Sequence, residues 1–175
     1  MPYRASYPQV LAPKRGQLAR VLIVACGCRG ADLARSLAAD GHVVRGTSRD
    51  AARAAAMPAP IEGVVADPDR LATLMPLIEG TAVVCWLLGT VDEPALHGPR
   101  LGSFLEHLVD TPVRGLVYES GGAGRPEALS AVTHARATYR MPVEVVEAPP
   151  GERSAWAREM TGAVGRVLDP GTNSP

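Results

Sequence analysis

Three stretches of this 175-residue chain combine residue types that could do chemistry. The first is Ala25-Cys26-Gly27-Cys28-Arg29-Gly30, which follows the apolar run RVLIVAC. It fits the pattern G-x-G-x-x-G, with Gly27 and Gly30 on the second and third glycines and Ala25 in place of the first. A glycine at Gly27 lets the backbone come close to a phosphate, and Gly30 lets a following helix pack tightly on a sheet. The amino end of that helix offers free N–H groups and a partial positive charge. Ala25 adds a methyl group where a tight turn favours none, which is tolerable while its φ stays negative.

The second stretch is Thr47-Ser48-Arg49, twenty residues past Gly27. A site that holds ribose hydroxyls has an acid near this position. Here an arginine and two hydroxyls stand there instead. A guanidinium binds a phosphate bidentately, so the trio suits a 2′-phosphate. Arg29 and Arg45 add positive charge. The third stretch comprises Asp67, able to accept a hydrogen bond from an adenine amine, and Leu87-Leu88-Gly89, where a glycine lets the chain pass a ribose. Together they predict a dinucleotide, NADP in preference to NAD. Simpler readings of the same residues stand beside this: packing glycines in an ordinary strand–turn–helix, a solvated Arg49 and a helix-capping Asp67.

Cys26 and Cys28, one residue apart, have no second Cys/His pair to complete a zinc site, and the odd total of three cysteines argues against a disulfide framework. They read as turn residues, with no metal.

These stretches need elements to position them, and the hydropathy pattern supplies them. Apolar runs alternate with helical patterns from residue 20 onward. Strands are expected at Arg20–Cys26, His42–Thr47, Ile61–Ala66, Thr81–Leu88, Val113–Glu119 and Pro142–Glu147. Helices are expected at Ala31–Ala39, Asp50–Ala56, Arg70–Ile78, Leu101–Val109, Pro126–Tyr139 and Glu152–Leu168. Gly41 ends the first helix, and Asp67 with Pro68 starts the third. Residues 89–100 and Gly121-Gly122-Ala123-Gly124 read as loops. Such alternation implies an α/β doubly wound parallel sheet of six strands in the order 3-2-1-4-5-6. The expected organisation is an N-terminal tail over 1–19, one domain over 20–168 and a C-terminal tail over 169–175.

Composition excludes several classes. Basic and acidic residues balance at 18 each, unlike a nucleic-acid binder. The longest clearly apolar run, Ala82 to Leu88, is far short of a membrane span. No apolar signal region precedes residue 20, so a cytoplasmic protein is expected. Aromatic residues make up 4%, so the core must be aliphatic.

The stretches VLIVACGCRGADLA, VRGTSRD, VVADP, CWLLG and VYESGG, in that order, resemble the NAD(P)-binding Rossmann domain of the short-chain dehydrogenase/reductase superfamily. The nearer likeness is to its atypical and extended, epimerase-like branches. The resemblance implies that Gly27, Cys28, Arg29 and Gly30 hold the pyrophosphate and that Thr47, Ser48 and Arg49 surround the 2′-phosphate. It places Asp67 by the adenine and Leu87, Leu88 and Gly89 by the adenine and its ribose. It also puts Ser120 in the place of the family's catalytic serine. The family's tyrosine with a lysine four residues later is missing. Four residues beyond Tyr3, Tyr7, Tyr118 and Tyr139 stand Tyr7, Leu11, Gly122 and Val143, and Lys14 is the only lysine. Tyr118 reads as a packing residue. The extended family carries a substrate domain after the sixth strand, where this sequence has a stretch for one helix and a tail, so any substrate pocket is expected to be shallow or shared with a neighbouring subunit. A homodimer through helices flanking the edge strands is compatible with this architecture.

Three functions fit these features: an NADP-dependent reductase of a small carbonyl substrate; a dinucleotide-binding redox sensor or regulatory partner without turnover; and a degenerate structural domain. The missing Tyr/Lys pair favours the second, and Ala25 is the best support for the third.

Overall fold

The computed structural model describes residues 18–121, 125–147, 152–169 and 171. Most of both expected tails, the centre of the 121–124 turn and the Pro149-Pro150-Gly151 break lie outside these residues, as do Tyr3, Tyr7 and Lys14. The described residues form six parallel strands in the order β3-β2-β1-β4-β5-β6. The strands are β1 (Arg20–Val24), β2 (Val43–Ser48), β3 (Glu62–Val65), β4 (Val83–Trp86), β5 (Gly115–Ser120) and β6 (Val143–Glu147). The chain is an α/β doubly wound sheet, as the alternating pattern predicts.

Among the described residues seven α-helices cover it: α1 (Cys28–Ala39), α2 (Ala51–Ala55), α3 (Met75–Ile78), α4 (Pro94–His97), α5 (Pro99–His107), α6 (Arg125–His134) and α7 (Arg153–Leu168). Central strands of a parallel sheet are buried on both faces, so their sequences are apolar at every position. In β1, Val21 and Ile23 face a core shared with α1 and α7. Leu22 and Val24 face the opposite core, shared with α5 and α6. No helix among the described residues is long and apolar enough to cross a membrane.

Several expected elements differ. The first helix starts three residues before Ala31, at Cys28, with Gly27 as its N-cap. The helix expected over Arg70–Ile78 is a 3₁₀ turn, Leu71–Thr73, followed by α3. Asp67 does not cap it and Pro68 does not start it. The Asp67 carboxylate accepts from the Asp69 N–H at 3.1 Å, while the Asp67 N–H donates to the Thr73 hydroxyl at 2.8 Å. These local bonds curl the chain into a turn, and Pro76 has no N–H to continue a helical ladder. The loop expected before Leu101 contains α4, and α5 begins at Pro99, where a missing N–H costs nothing. The helix expected from Pro126 to Tyr139 ends in a π-helical turn over Ala135–Tyr139.

Candidate functional site: a cleft over the tips of the first three strands

The glycine-rich turn is held from β2. Thr47 is fully buried, its Oγ1 accepts from the Ala25 N–H at 3.1 Å, and its carbonyl accepts from the Cys26 N–H at 2.8 Å. Thr47 therefore shapes the turn. Ala25 has φ +62, in the left-handed region that glycine occupies without penalty. The proviso of a negative φ fails here. The alanine takes a strained backbone, at roughly 1–2 kcal/mol, because the two bonds to Thr47 fix the chain.

The two glycines do different work. A Cβ on Gly30 would lie 3.0 Å from the Cys26 Sγ and 3.4 Å from the Ile23 Cγ2, so Gly30 brings α1 down onto β1. A Cβ on Gly27 would meet nothing within 4 Å. Gly27 faces open space at the amino end of α1, where a phosphate could approach the backbone.

That space belongs to a cleft of about 630 Å³, within the range of small-molecule sites. Ala25, Cys26 and Gly27 line one side, and Thr47, Ser48, Arg49 and Arg53 another. An apolar wall comes from Ala66, Leu88, Val91 and Leu96. Arg49 and Arg53 have no ion pair among the described residues. The Ser48 Oγ accepts from the Asp50 N–H at 3.2 Å, and Asp50 caps α2. The lining thus combines the guanidinium residues Arg49 and Arg53, the acids Asp69 and Glu93, an apolar wall and a backbone without Cβ at Gly27.

Other predicted residues lie away from the cleft. Arg45 pairs with Glu62 at 2.9 Å across β2 and β3. Arg29 points to the far half of the sheet, where it lies 2.7 Å from Glu119 and 4.3 Å over the Trp156 ring. Cys28 is exposed on the first turn of α1. Leu87 and Gly89 are buried beside the cleft rather than in its wall. Asp67 is turned into its own loop, while its neighbours Pro68 and Asp69 line the cleft, with Asp69 paired to Arg100 at 2.8 Å. Arg53 was missed by sequence reasoning. Its position in the first turn of the helix that follows the β2 tip was the available sign. The α4 residues were missed with α4 itself.

The second half of the sheet ends differently. Glu119, at 2% exposure, accepts from the Gly89 N–H at 3.1 Å with one oxygen and faces Arg29 with the other. The latter contact is an ion pair without the alignment of a hydrogen bond. Burial pushes the Glu119 carboxyl above its ordinary range, and Arg29 and the Gly89 N–H pull it partly back. Ser120 is fully buried, and its Oγ has no hydrogen-bond partner among the described residues. The Tyr118 hydroxyl and the His97 Nδ1 are 2.8 Å apart, and the His97 Nε2 is 2.8 Å from the Val91 carbonyl. The carbonyl can only accept, so Nε2 carries the proton and Tyr118 donates to Nδ1. Burial, then Glu119, push the Tyr118 phenol up to about 12, with Arg125 opposing. Neutral at ordinary pH, Tyr118 is a packed, hydrogen-bonded core residue. Burial likewise pushes the Cys26 thiol up to about 11, which keeps it protonated in the cleft wall. Among the described residues, no three His, Cys, Asp or Glu side chains group as a metal site would.

No family model matches the chain, and no curated protein matches it in sequence. Solved structures do match. An epimerase from Methanothermobacter thermautotrophicus superposes with a TM-score of 0.63 at 19% identity, over 74% of this chain and 51% of its own. The Bordetella bronchiseptica enzyme WbmG, in complex with NAD, gives 0.59 at 15%, over 76% and 54%. A protein of Corynebacterium glutamicum assigned to the short-chain dehydrogenase/reductases gives 0.62 at 16%, over 89% and 94%. The chain thus spans about half the length of the first two and nearly all of the third. At these identities the likeness is one of fold: the chain has the Rossmann fold of the extended short-chain dehydrogenase/reductase and NAD-epimerase-like proteins.

Proposed function

We propose that this protein binds a nicotinamide dinucleotide in the cleft, NADP in preference to NAD, and holds it without the usual proton-transfer chemistry of the fold's dehydrogenases. The observation that carries this reading is the pair Arg49 and Arg53. Both line the cleft without an ion pair among the described residues, whereas Arg29 and Arg45 are neutralised by Glu119 and Glu62. An unpaired guanidinium on a ligand rim supplies charge-assisted, bidentate bonds to a phosphate. Gly27 at the amino end of α1 would take the pyrophosphate, and the wall of Ala66, Leu88, Val91 and Leu96 would take the base. The bound cofactor is a hydride carrier by its own chemistry.

The reading without turnover draws on the second half of the sheet. Tyr118 is a buried phenol bonded to His97, Ser120 is buried outside the cleft lining, and Lys14 is the sole lysine. Neither Tyr118 nor Ser120 lines the cleft, where a general acid or base must stand, and Lys14 lies outside the described residues.

The test is thermal melting with NADPH, NADP, NADH and NAD. A ligand at about 100 times its Kd adds roughly 2.7 kcal/mol, or about 5–11 °C for a chain of this size. Larger shifts with the two phosphorylated forms are expected. Equal or larger shifts with NADH and NAD would remove the 2′-phosphate argument, and no shift with any of the four would sink the reading.

A further inference from the structure

A doubly wound sheet that takes a dinucleotide does so with two mononucleotide halves, one over β1–β3 and one over β4–β6. In this protein the cleft spans the first half and the segment just after β4, and no described residue beyond Leu96 lines it. Among the described residues, the tips of β4 and β5 are closed. Gly89, Glu119 and Ser120 are all buried there. Glu119 ties three elements together: its own strand β5, the end of β4 through the Gly89 N–H, and the first turn of α1 through Arg29. The fit is close, since a Cβ on Gly89 would lie 2.8 Å from the Glu119 Cγ and 2.9 Å from the Glu119 carbonyl oxygen. Arg29 is fixed from α7 as well, by the Trp156 ring 4.3 Å beneath its guanidinium. Opening this region to a second nucleotide would strip a buried carboxylate of its cation, a costly state in a low-dielectric interior.

We propose that the cleft is a mononucleotide site for a 2′-phosphorylated adenosine, and that the Arg29–Glu119 bar keeps the nicotinamide half of a dinucleotide outside the protein. This rests on the nucleotide reading above and narrows it to one half of the ligand. Because the ring that differs between oxidised and reduced cofactor then touches nothing, the protein does not distinguish them.

Titration calorimetry of the full chain with adenosine 2′,5′-bisphosphate, NADP and NADPH tests this. All three Kd values are expected within about fivefold of one another, against the larger gain a second docked nucleotide would bring. Either form of NADP binding more than about fivefold tighter than the bisphosphate overturns the bar while leaving the nucleotide reading intact. Binding by none of the three overturns both. Saturation-transfer NMR on bound NADP gives a second readout. The adenine protons should receive saturation and the nicotinamide protons should not, and equal saturation of both rings refutes the proposal. The double variant R29A/E119Q keeps a carbonyl oxygen for the Gly89 N–H and removes the bar. It should prefer NADP to the bisphosphate by about tenfold or more, and an unchanged ratio counts against the proposal. Should this variant not fold, the two measurements on the unaltered chain decide the matter.

Discussion

The two halves of this sheet are built on one plan and finished in opposite ways. At the tips of β1–β3 the chain leaves a glycine facing open space and two arginines without counter-ions among the described residues. At the tips of β4 and β5 it spends an arginine on a buried glutamate and packs the strand ends against one another. The same residue type thus serves two purposes. An arginine free at a rim is a ligand group, and an arginine beside a buried carboxylate is a structural part. The difference teaches that a charged residue in a glycine-rich turn says little about binding until its partner is known.

That contrast can be broken at its strongest point first. Arg29→Ala would leave Glu119 buried without its cation. The expected loss is about 3 kcal/mol, because the desolvated charge is no longer offset, or roughly 6–12 °C in melting temperature. The loss should depend on pH. Glu119 titrates above its ordinary value when folded, so its contribution to stability is present at acid pH and declines as pH rises through the folded value. Removing Arg29 raises that value further. The gap between variant and parent should therefore widen as pH rises above the ordinary carboxylate range. A pH-independent gap, or none, would mean that the second half is not closed by this pair.

Arg49→Ala sharpens the other side. A charge-assisted bond contributes about 1.5–3 kcal/mol, so affinity for NADP should fall roughly 10- to 100-fold. Affinity for NAD should change by less than about threefold. Calorimetry with the two cofactors separates these outcomes, and a parallel loss for both would assign Arg49 to the pyrophosphate instead of the 2′-phosphate.

The smallest effect concerns the turn between the halves. Ala25→Gly should relieve the left-handed strain, less the greater flexibility that glycine gives the unfolded chain, for a net gain of about 0.5–1 kcal/mol. Denaturant unfolding measures this. A loss of stability would show that the turn adopts a negative φ at Ala25 in solution.

Much of the frame was legible in the sequence because it rests on local patterns. Double-sided apolar runs such as RVLIV and VVCW mark buried parallel strands, and their alternation with helical spacing fixes strand order. Gly27, Ser48 and Arg49 were legible as rim residues for the same reason, since a strand tip and the following turn face the crevice. Asp67 was not, because an Asx-type turn and a helix cap begin with the same Asp-Pro sequence and differ only in where the carboxylate finds its N–H. The short α4 was hidden by the prolines that usually signal a loop. Arg29 and Arg49 were indistinguishable, each an arginine in a turn after a strand.

By itself, the sequence determined the doubly wound α/β sheet, the position of its glycine-rich turn and the supply of cations at its rim, since hydropathy period and turn chemistry act over a few residues. Only the tertiary structure decided how the turn is held, with Ala25 left-handed beneath Thr47, and which cations remain free. Those outcomes depend on contacts between residues 22 to 127 positions apart, Ala25 with Thr47 and Arg29 with Glu119 and Trp156, and burial sets their energies. The glycine-rich turn and the Arg29–Glu119 pair share one helix end, and packing of Arg29 against β5 and α7 separates it from the cleft.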